Sequence, residues 1–183
     1  MSKYVLSIDP SGNFDEGTGI TGWTLLYNPQ PGVITRIKYG VIDASTSLTK
    51  EEHWGKHINL ISGLTDSLGE RPMVVIEDFM LYSNRAQEQI NSRFETPKLI
   101  GCLQYYCYTN GFAYHMQTAA SVKRRWTNDI LEHKGYLTQK SYVRAGKAYK
   151  VTYFDNYKVP DHVVDALRHG VHYCTFHTHK EEE

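Results

Sequence analysis

Asp9, Glu77 and Asp165 are separated by most of the chain, yet each stands where a carboxylate can be aimed into a shared space. Asp9 closes an apolar run, Tyr4 to Ile8, and is followed by Pro10-Ser11-Gly12. Glu77 closes a second apolar run, Met73 to Ile76. Asp165 ends the stretch Asp161-His162-Val163-Val164-Asp165, just after Pro160, where a helix would begin. In a helix His162 and Asp165 are three apart and share a face. Carboxylates that converge repel one another unless cations neutralise them. Oxygen ligands at that density suit Mg²⁺, with Mn²⁺ as a substitute. Two such ions about 4 Å apart stabilise both the attacking water and the leaving 3′ oxygen of a phosphodiester. On this reading Asp9 bridges both metals, Glu77 and Asp165 hold one each, and His162 ligates a metal or orients the attacking water. Asp161 competes with His162 for the place of fourth ligand. Spacing alone leaves a plainer reading open: an Asp after a strand is a common turn residue, and Asp161 suits a helix cap.

These residues need a sheet to bring them together. Tyr4 to Ile8, Thr21 to Tyr27 and Val33 to Ile42, the last interrupted at Gly40, read as an antiparallel meander. Lys50 to Leu68 carries Trp54, Ile58, Ile61, Leu64 and Leu68 at helical spacing. Met73 to Ile76 is a continuous apolar run, as in a strand covered on both faces. Ser83 to Phe94 reads as loop with some helix. Pro97 to Tyr108 reads as a buried helix, Phe112 to Met116 as a strand and Thr118 to Trp126 as a short helix. Thr127 to Tyr157 is polar, basic and without a clear period. A last helix spans Asp161 to Cys174, and the tail from His177 to Glu183 is expected to fray. His169 and His172 are read as helix surface, and His177 and His179 as tail. The order β-β-β-α-β-α-β-α-α predicts a single mixed α/β domain over residues 1–183, with helices on both faces of its sheet.

The chain has 183 residues, 20 basic and 20 acidic, and a formal net charge of zero. A neutral average does not exclude a phosphate-binding patch. From Ser121 to Lys150 eight basic residues face two acids, a local net charge of +6. A solvated charged face would look the same. Three cysteines without a CxxC pair exclude a disulfide frame or a structural zinc site. No signal peptide or membrane-spanning run is seen, so a cytoplasmic protein is expected.

Several of these stretches together resemble RuvC-type Holliday junction resolvases. Ile8-Asp-Pro-Ser-Gly12 with Thr18-Gly-Ile-Thr-Gly-Trp23 is similar to their first hairpin, and Val75-Ile-Glu-Asp-Phe79 to their second catalytic strand. Lys98-Leu-Ile-Gly101 resembles the following helix, and Thr118-Ala-Ala-Ser-Val-Lys123 the turn that carries a lysine. His162-Val-Val-Asp165-Ala-Leu is like the closing helix. Glu77 to Asn84, with Arg85 and Gln87, looks most like the phage-borne branch, which would place the protein in a host cell cytoplasm. The resemblance implies a ribonuclease H-like fold, a homodimer and symmetric nicking of four-way DNA junctions. It implies that Asp9, Glu77, His162 and Asp165 are catalytic and that Lys123 contacts the phosphate near the cut. Arg124 and Arg125 beside it, with Arg85 and Tyr82, are further expected DNA contacts; Phe79 or Tyr82 would stack on bases at the branch. The chain departs from the pattern in its first loop, Asn13 to Gly17, where Asp15 and Glu16 are extra acids near the expected metals. The 127–157 segment aligns poorly.

Four other readings fit parts of this pattern. A phage terminase nuclease shares the acidic triad but lacks the Val75-to-Gly101 pattern and comes with an ATPase half. An endonuclease of relaxed specificity for branched or flapped DNA shares every motif. A catalytically silent DNA-binding module would not need the acids. An actin-like ATP-binding fold also starts with a strand and an Asp–Gly loop, but it requires two such domains.

Overall fold

The structure is a computed structural model that describes residues 2–15, 17–80 and 94–178. Tyr82, Arg85, Glu16 and His179, most of the 83–94 segment and the end of the tail therefore lie outside the described residues.

Strand β1 (Tyr4–Asp9) is central. It pairs antiparallel with β2 (Ile20–Gln30), which pairs antiparallel with β3 (Val33–Asp43). On its other side β1 runs parallel to β4 (Met73–Asp78), and β4 runs parallel to β5 (Tyr114–Thr118). The sheet order is β3-β2-β1-β4-β5. β3 does not break at Gly40. The Trp23 indole lies across that position, and a Cβ there would sit 2.8 Å from its Cζ2, so the glycine makes room for a ring without ending the strand. β5 starts two residues later than expected, at Tyr114.

The period-two pleat sorts the strand residues between two cores. Leu6, Ile8, Val74 and Ile76 pack with Ile61 and Leu64 of helix α1 (Lys50–Leu68) and Leu99 and Leu103 of helix α2 (Glu95–Thr109). Val5 and Val75 face the other way. They pack with Val122 of helix α3 (Ala119–Arg125), Leu131 of helix α4 (Asn128–His133) and Val163, Val164 and Leu167 of helix α5 (Asp161–Phe176). Helices thus cover both faces, as the sequence predicts. The same alternation puts Asp9, two after Ser7, and Glu77, two after Val75, on the face that α5 covers.

Local signals explain the helix ends. Thr49 caps α1 by accepting from the Glu52 N–H, and Gly69, with φ of 70°, ends it. α5 starts after Pro160 without any side-chain cap bond, so Asp161 is its first residue and not its cap. Cys107 and Cys174 are buried, which pushes their thiols up to about 11 and about 12. Among the described residues no helix is long and apolar enough to cross a membrane.

The segment 127–157, which has no legible period, holds α4 and most of a second, three-stranded sheet: β6 (Thr138–Arg144), β7 (Lys147–Phe154) and β8 (Tyr157–Lys158). Nearly all of β6 and the first half of β7 are exposed on both faces. With no buried face there is no apolar alternation to read.

Candidate metal centre

β1 and β4 are parallel neighbours with Ile8 opposite Ile76, so the next residues, Asp9 and Glu77, leave the same edge side by side. α5 supplies the third carboxylate. Its first turn lies directly on β2 because Gly22 has no side chain: a Cβ there would fall on the backbone of His162 and Val163. Gly22 is also the antiparallel partner of Asp9. Further along, Gly170 lets the helix approach Ser7 and Leu26, 2.7 Å from where its Cβ would stand. Two bare positions, one in the strand and one in the helix, therefore set how deep α5 sits.

The result is a cluster in which oxygens of Asp9, Glu77 and Asp165 all lie within 4.8 Å of one another. His162 Nδ1 is 2.7 Å from Asp9 Oδ2, while 47% of its side chain remains exposed. Asp161 is exposed and stands outside the cluster. Asp15 is exposed too and is not in the cluster; its loop is drawn onto α2 by buried Glu95, which accepts from the Phe14 N–H at 2.7 Å.

Lys123 Nζ sits among the carboxylates, 2.8 Å from Asp165 Oδ2 and 3.5 Å from Glu77 Oε1. Arg168 holds the other Asp165 oxygen and anchors itself on the Trp126 carbonyl at 2.9 Å and on Asn128. Arg124 is exposed. Arg125 turns to the far end of α5, its guanidinium 4.1 Å over the Phe176 ring. Phe79 packs on the α1–α2 core and lines a cleft of about 160 Å³ that also meets Asp9, Glu77 and Thr96.

His169 corrects the sequence expectation. It is not helix surface but fully buried, with Nε2 2.9 Å from Glu77 Oε2 and Nδ1 3.0 Å from Gln117 Oε1. His172 is half-buried; its Nδ1 accepts from the Trp126 indole N–H at 3.2 Å. Spacing places His169 four residues after Asp165 on the same helix face, but spacing does not say that this face turns inward. Gln117 is the β5 partner of Glu77. Arg168, three after Asp165, is within reach of the same spacing argument.

The charges interact. Burial pushes the Asp9 carboxyl up; the His162 hydrogen bond pulls it down, and the Glu77 and Asp165 charges push it up again, leaving it above the usual range. Burial would also raise Glu77, but His169 and Lys123 outweigh it and hold that group below its ordinary value. The Asp9 bond raises His162 against its partial burial. Burial opposes charge on Lys123, but Asp165 first, then Glu77 and Asp9, keep its ammonium above the ordinary lysine value.

The donor set fits a hard divalent cation. It consists of carboxylate oxygens at close quarters, and Glu77 Oε2 is buried with no well-aligned hydrogen-bond donor among the described residues, His169 Nε2 lying near it but off line. Asp9, Glu77 and Asp165 are the residues that would hold the ion.

A five-stranded mixed sheet, antiparallel in its first three strands and parallel in the rest, with helices on both faces, defines a ribonuclease H-like α/β fold. Among solved structures the chain is similar to Thermus thermophilus RuvC in complex with a Holliday junction substrate. The TM-score is 0.64 at 15% identity, covering 96% of this chain and 94% of that one. A second structure of RuvC from the same organism gives 0.59 at 15% identity, with 94% of each chain covered. Likeness at that identity establishes a RuvC-like fold. No protein-family model matches the chain, and no curated protein matches it.

Proposed function

We propose that residues 1–183 form a divalent-metal-dependent endonuclease that cuts branched DNA, with the four-way junction as its main substrate. The observation that carries this reading is the meeting of Asp9, Glu77 and Asp165 within 4.8 Å beneath the first turn of α5. A RuvC-like fold supports it, because one solved neighbour holds a Holliday junction. Mg²⁺, bound as a pair of ions, would activate the attacking water and stabilise the leaving 3′ oxygen.

The chain's own residues do the rest. Asp9, on the central strand and nearest His162, bridges the two halves of the site. Glu77 and Asp165 each hold one side. Asp9 fixes the His162 ring through Nδ1, which leaves Nε2 to orient the attacking water and accept its proton. Lys123 spans Glu77 and Asp165, where its ammonium would also reach the scissile phosphate of a DNA held at those carboxylates. Arg168 keeps Asp165 in place. Two copies of the chain, arranged as a homodimer in the cytoplasm, would present two such sites to opposite strands of a junction.

The test is cleavage in Mg²⁺ of four-way, three-way, flapped and linear DNA of matched sequence. Paired nicks in the four-way junction, at the highest rate of the four, are expected. Asp9→Asn should still bind the junction and no longer cut it. Equal cutting of linear DNA would remove the branched specificity, and an Asp9→Asn variant that cuts at the normal rate would remove the metal assignment.

A further inference from the structure

The β6–β7 hairpin is left without a task by the metal centre. Its turn is Ala145-Gly146, with φ of 50° and 74°, both in the left-handed region, as a two-residue hairpin of the primed type requires. Its base is firmly held. Leu137, Phe154 and Val159 belong to the α5-side core. Arg36 donates to the Tyr136 carbonyl at 2.6 Å, pairs with Asp155 at 3.0 Å and lies 4.1 Å over the Phe154 ring. Glu132 accepts from the Gln139 N–H at 2.6 Å.

The base also fixes where the hairpin goes. The Val159 N–H donates to the Thr152 carbonyl at 3.0 Å, and Pro160 then leads straight into α5, whose second residue is His162. Thr152 is thus level with the start of α5 at the metal-site edge of the sheet. β8 runs antiparallel to β7, so the residues of β7 before Thr152, and their β6 partners, extend from the base in the direction in which β8 leads towards the start of α5. Five residues of strand extend roughly 17 Å.

The projecting part has a distinctive surface. Between Lys140 and Lys150 there are four basic residues and no acid. Cross-strand partners share a face, which puts Arg144 with Lys147, Tyr142 with Tyr149, and Lys140 with Val151 on the same side. The Tyr142 and Tyr149 rings stack at 5.4 Å and 19°, and remain 46% and 42% exposed. Cations interleaved with exposed aromatic faces match nucleic acid, in which phosphates alternate with stackable bases. The face carries too much charge for an apolar protein seam.

We infer that the β6–β7 hairpin is a DNA-contacting finger of the same active site. Lys140, Arg144 and Lys147 hold the phosphates of one duplex arm, and the Tyr142–Tyr149 pair stacks on a base exposed at the branch point. This rests on the nuclease reading above.

The test measures binding of the full chain to a labelled four-way junction and to a linear duplex in Ca²⁺, across a salt series, alongside Mg²⁺ cleavage by the unaltered protein. Replacing Lys140, Arg144 and Lys147 together by Gln should weaken both DNAs and flatten the slope of log affinity against log salt by about 2 to 3. Tyr142→Ala with Tyr149→Ala should weaken the junction roughly five- to a hundredfold and leave the linear duplex unchanged. Tyr142→Phe with Tyr149→Phe keeps the stacking faces and should retain junction affinity. Circular dichroism and melting of each variant establish that the domain is folded. If the unaltered protein cuts junctions while the Gln and Ala variants bind with its affinity and salt slope, the finger is refuted and the nuclease reading stands. If the unaltered protein neither binds nor cuts branched DNA, the nuclease reading falls and the finger falls with it. Loss of junction binding in the Phe pair would refute stacking.

Discussion

Glu77 Oε2 and His169 Nε2 meet at 2.9 Å between sheet and helix, where His169 has no exposed surface. A carboxylate so placed depends on the histidine for its orientation, and the histidine depends on Gln117 for its own. His169→Leu should therefore lower divalent-cation affinity by about 10- to 100-fold. His169→Gln, which keeps a polar group beside Glu77, should recover part of the loss. Calorimetric titration with Mn²⁺ reads this directly. Wild-type affinity in the Leu variant would mean that Glu77 is oriented by other groups.

Gly22 is the seat of α5. A methyl group there collides with helix backbone, which cannot rotate aside as a flexible side chain would. Gly22→Ala should cost about 1–3 kcal/mol of stability. Displacing His162 and Asp165 by about 1 Å should slow cutting on the order of 100-fold. A denaturant melt and a cleavage time course check both numbers; normal activity would show that α5 tolerates a shallower position.

Lys123 and a bound cation share the same carboxylates. Because 40% of its side chain is exposed, its pairing with Asp165 and Glu77 is worth on the order of 1 kcal/mol. Lys123→Gln should accordingly tighten Mn²⁺ binding about fivefold while cutting falls. Weaker metal binding in this variant would instead make Lys123 an organiser of the carboxylates.

Acid should loosen the loop behind Asp9. His57 is buried, donating from Nδ1 to the His53 carbonyl at 2.9 Å and accepting at Nε2 from Thr21, 2.8 Å away. Thr21 in turn accepts from the Ser11 N–H at 2.9 Å. Burial holds His57 down to about 4 from an ordinary value of 6.5. Above pH 6.5 both folded and unfolded chains carry it neutral, and its contribution to stability is complete. As the pH falls from 6.5 towards about 4, only the unfolded chain takes up the proton, and stability is lost. The loss is about 1.4 kcal/mol per pH unit, on the order of 3 kcal/mol in all. Urea melts from pH 7.5 to 4.5 should fall less steeply for His57→Asn than for the unaltered chain. Parallel curves would assign the acid sensitivity to other groups.

Ca²⁺ should support junction binding without cleavage, because its larger and looser coordination shell positions water poorly. Efficient cutting in Ca²⁺ alone would contradict the proposed chemistry.

The parts of the site built from strand ends were legible in the sequence because two short apolar runs stop at acids, and parallel pairing makes such stops coincide. Asp9 and Glu77 are of this kind. His162 and Asp165 were legible because Pro160 marks a helix start. What could not be read is whatever depends on which helix face turns inward. His169 looks like any polar residue on a helix, until the bareness of Gly22 and Gly170 shows how closely α5 lies on the sheet. The hairpin was invisible for the opposite reason: it projects away from the core, so burial imposes no alternation on it.

α5 carries His162 and Asp165 and leaves the ribosome long after the strands that bear Asp9 and Glu77. A nascent chain therefore presents only half of its acidic constellation, and that half has no helix to complete it. On the nuclease reading, hydrolytic capacity would be withheld until α5 settles on the bare strand position, so the order of synthesis would itself act as a safeguard for nearby DNA.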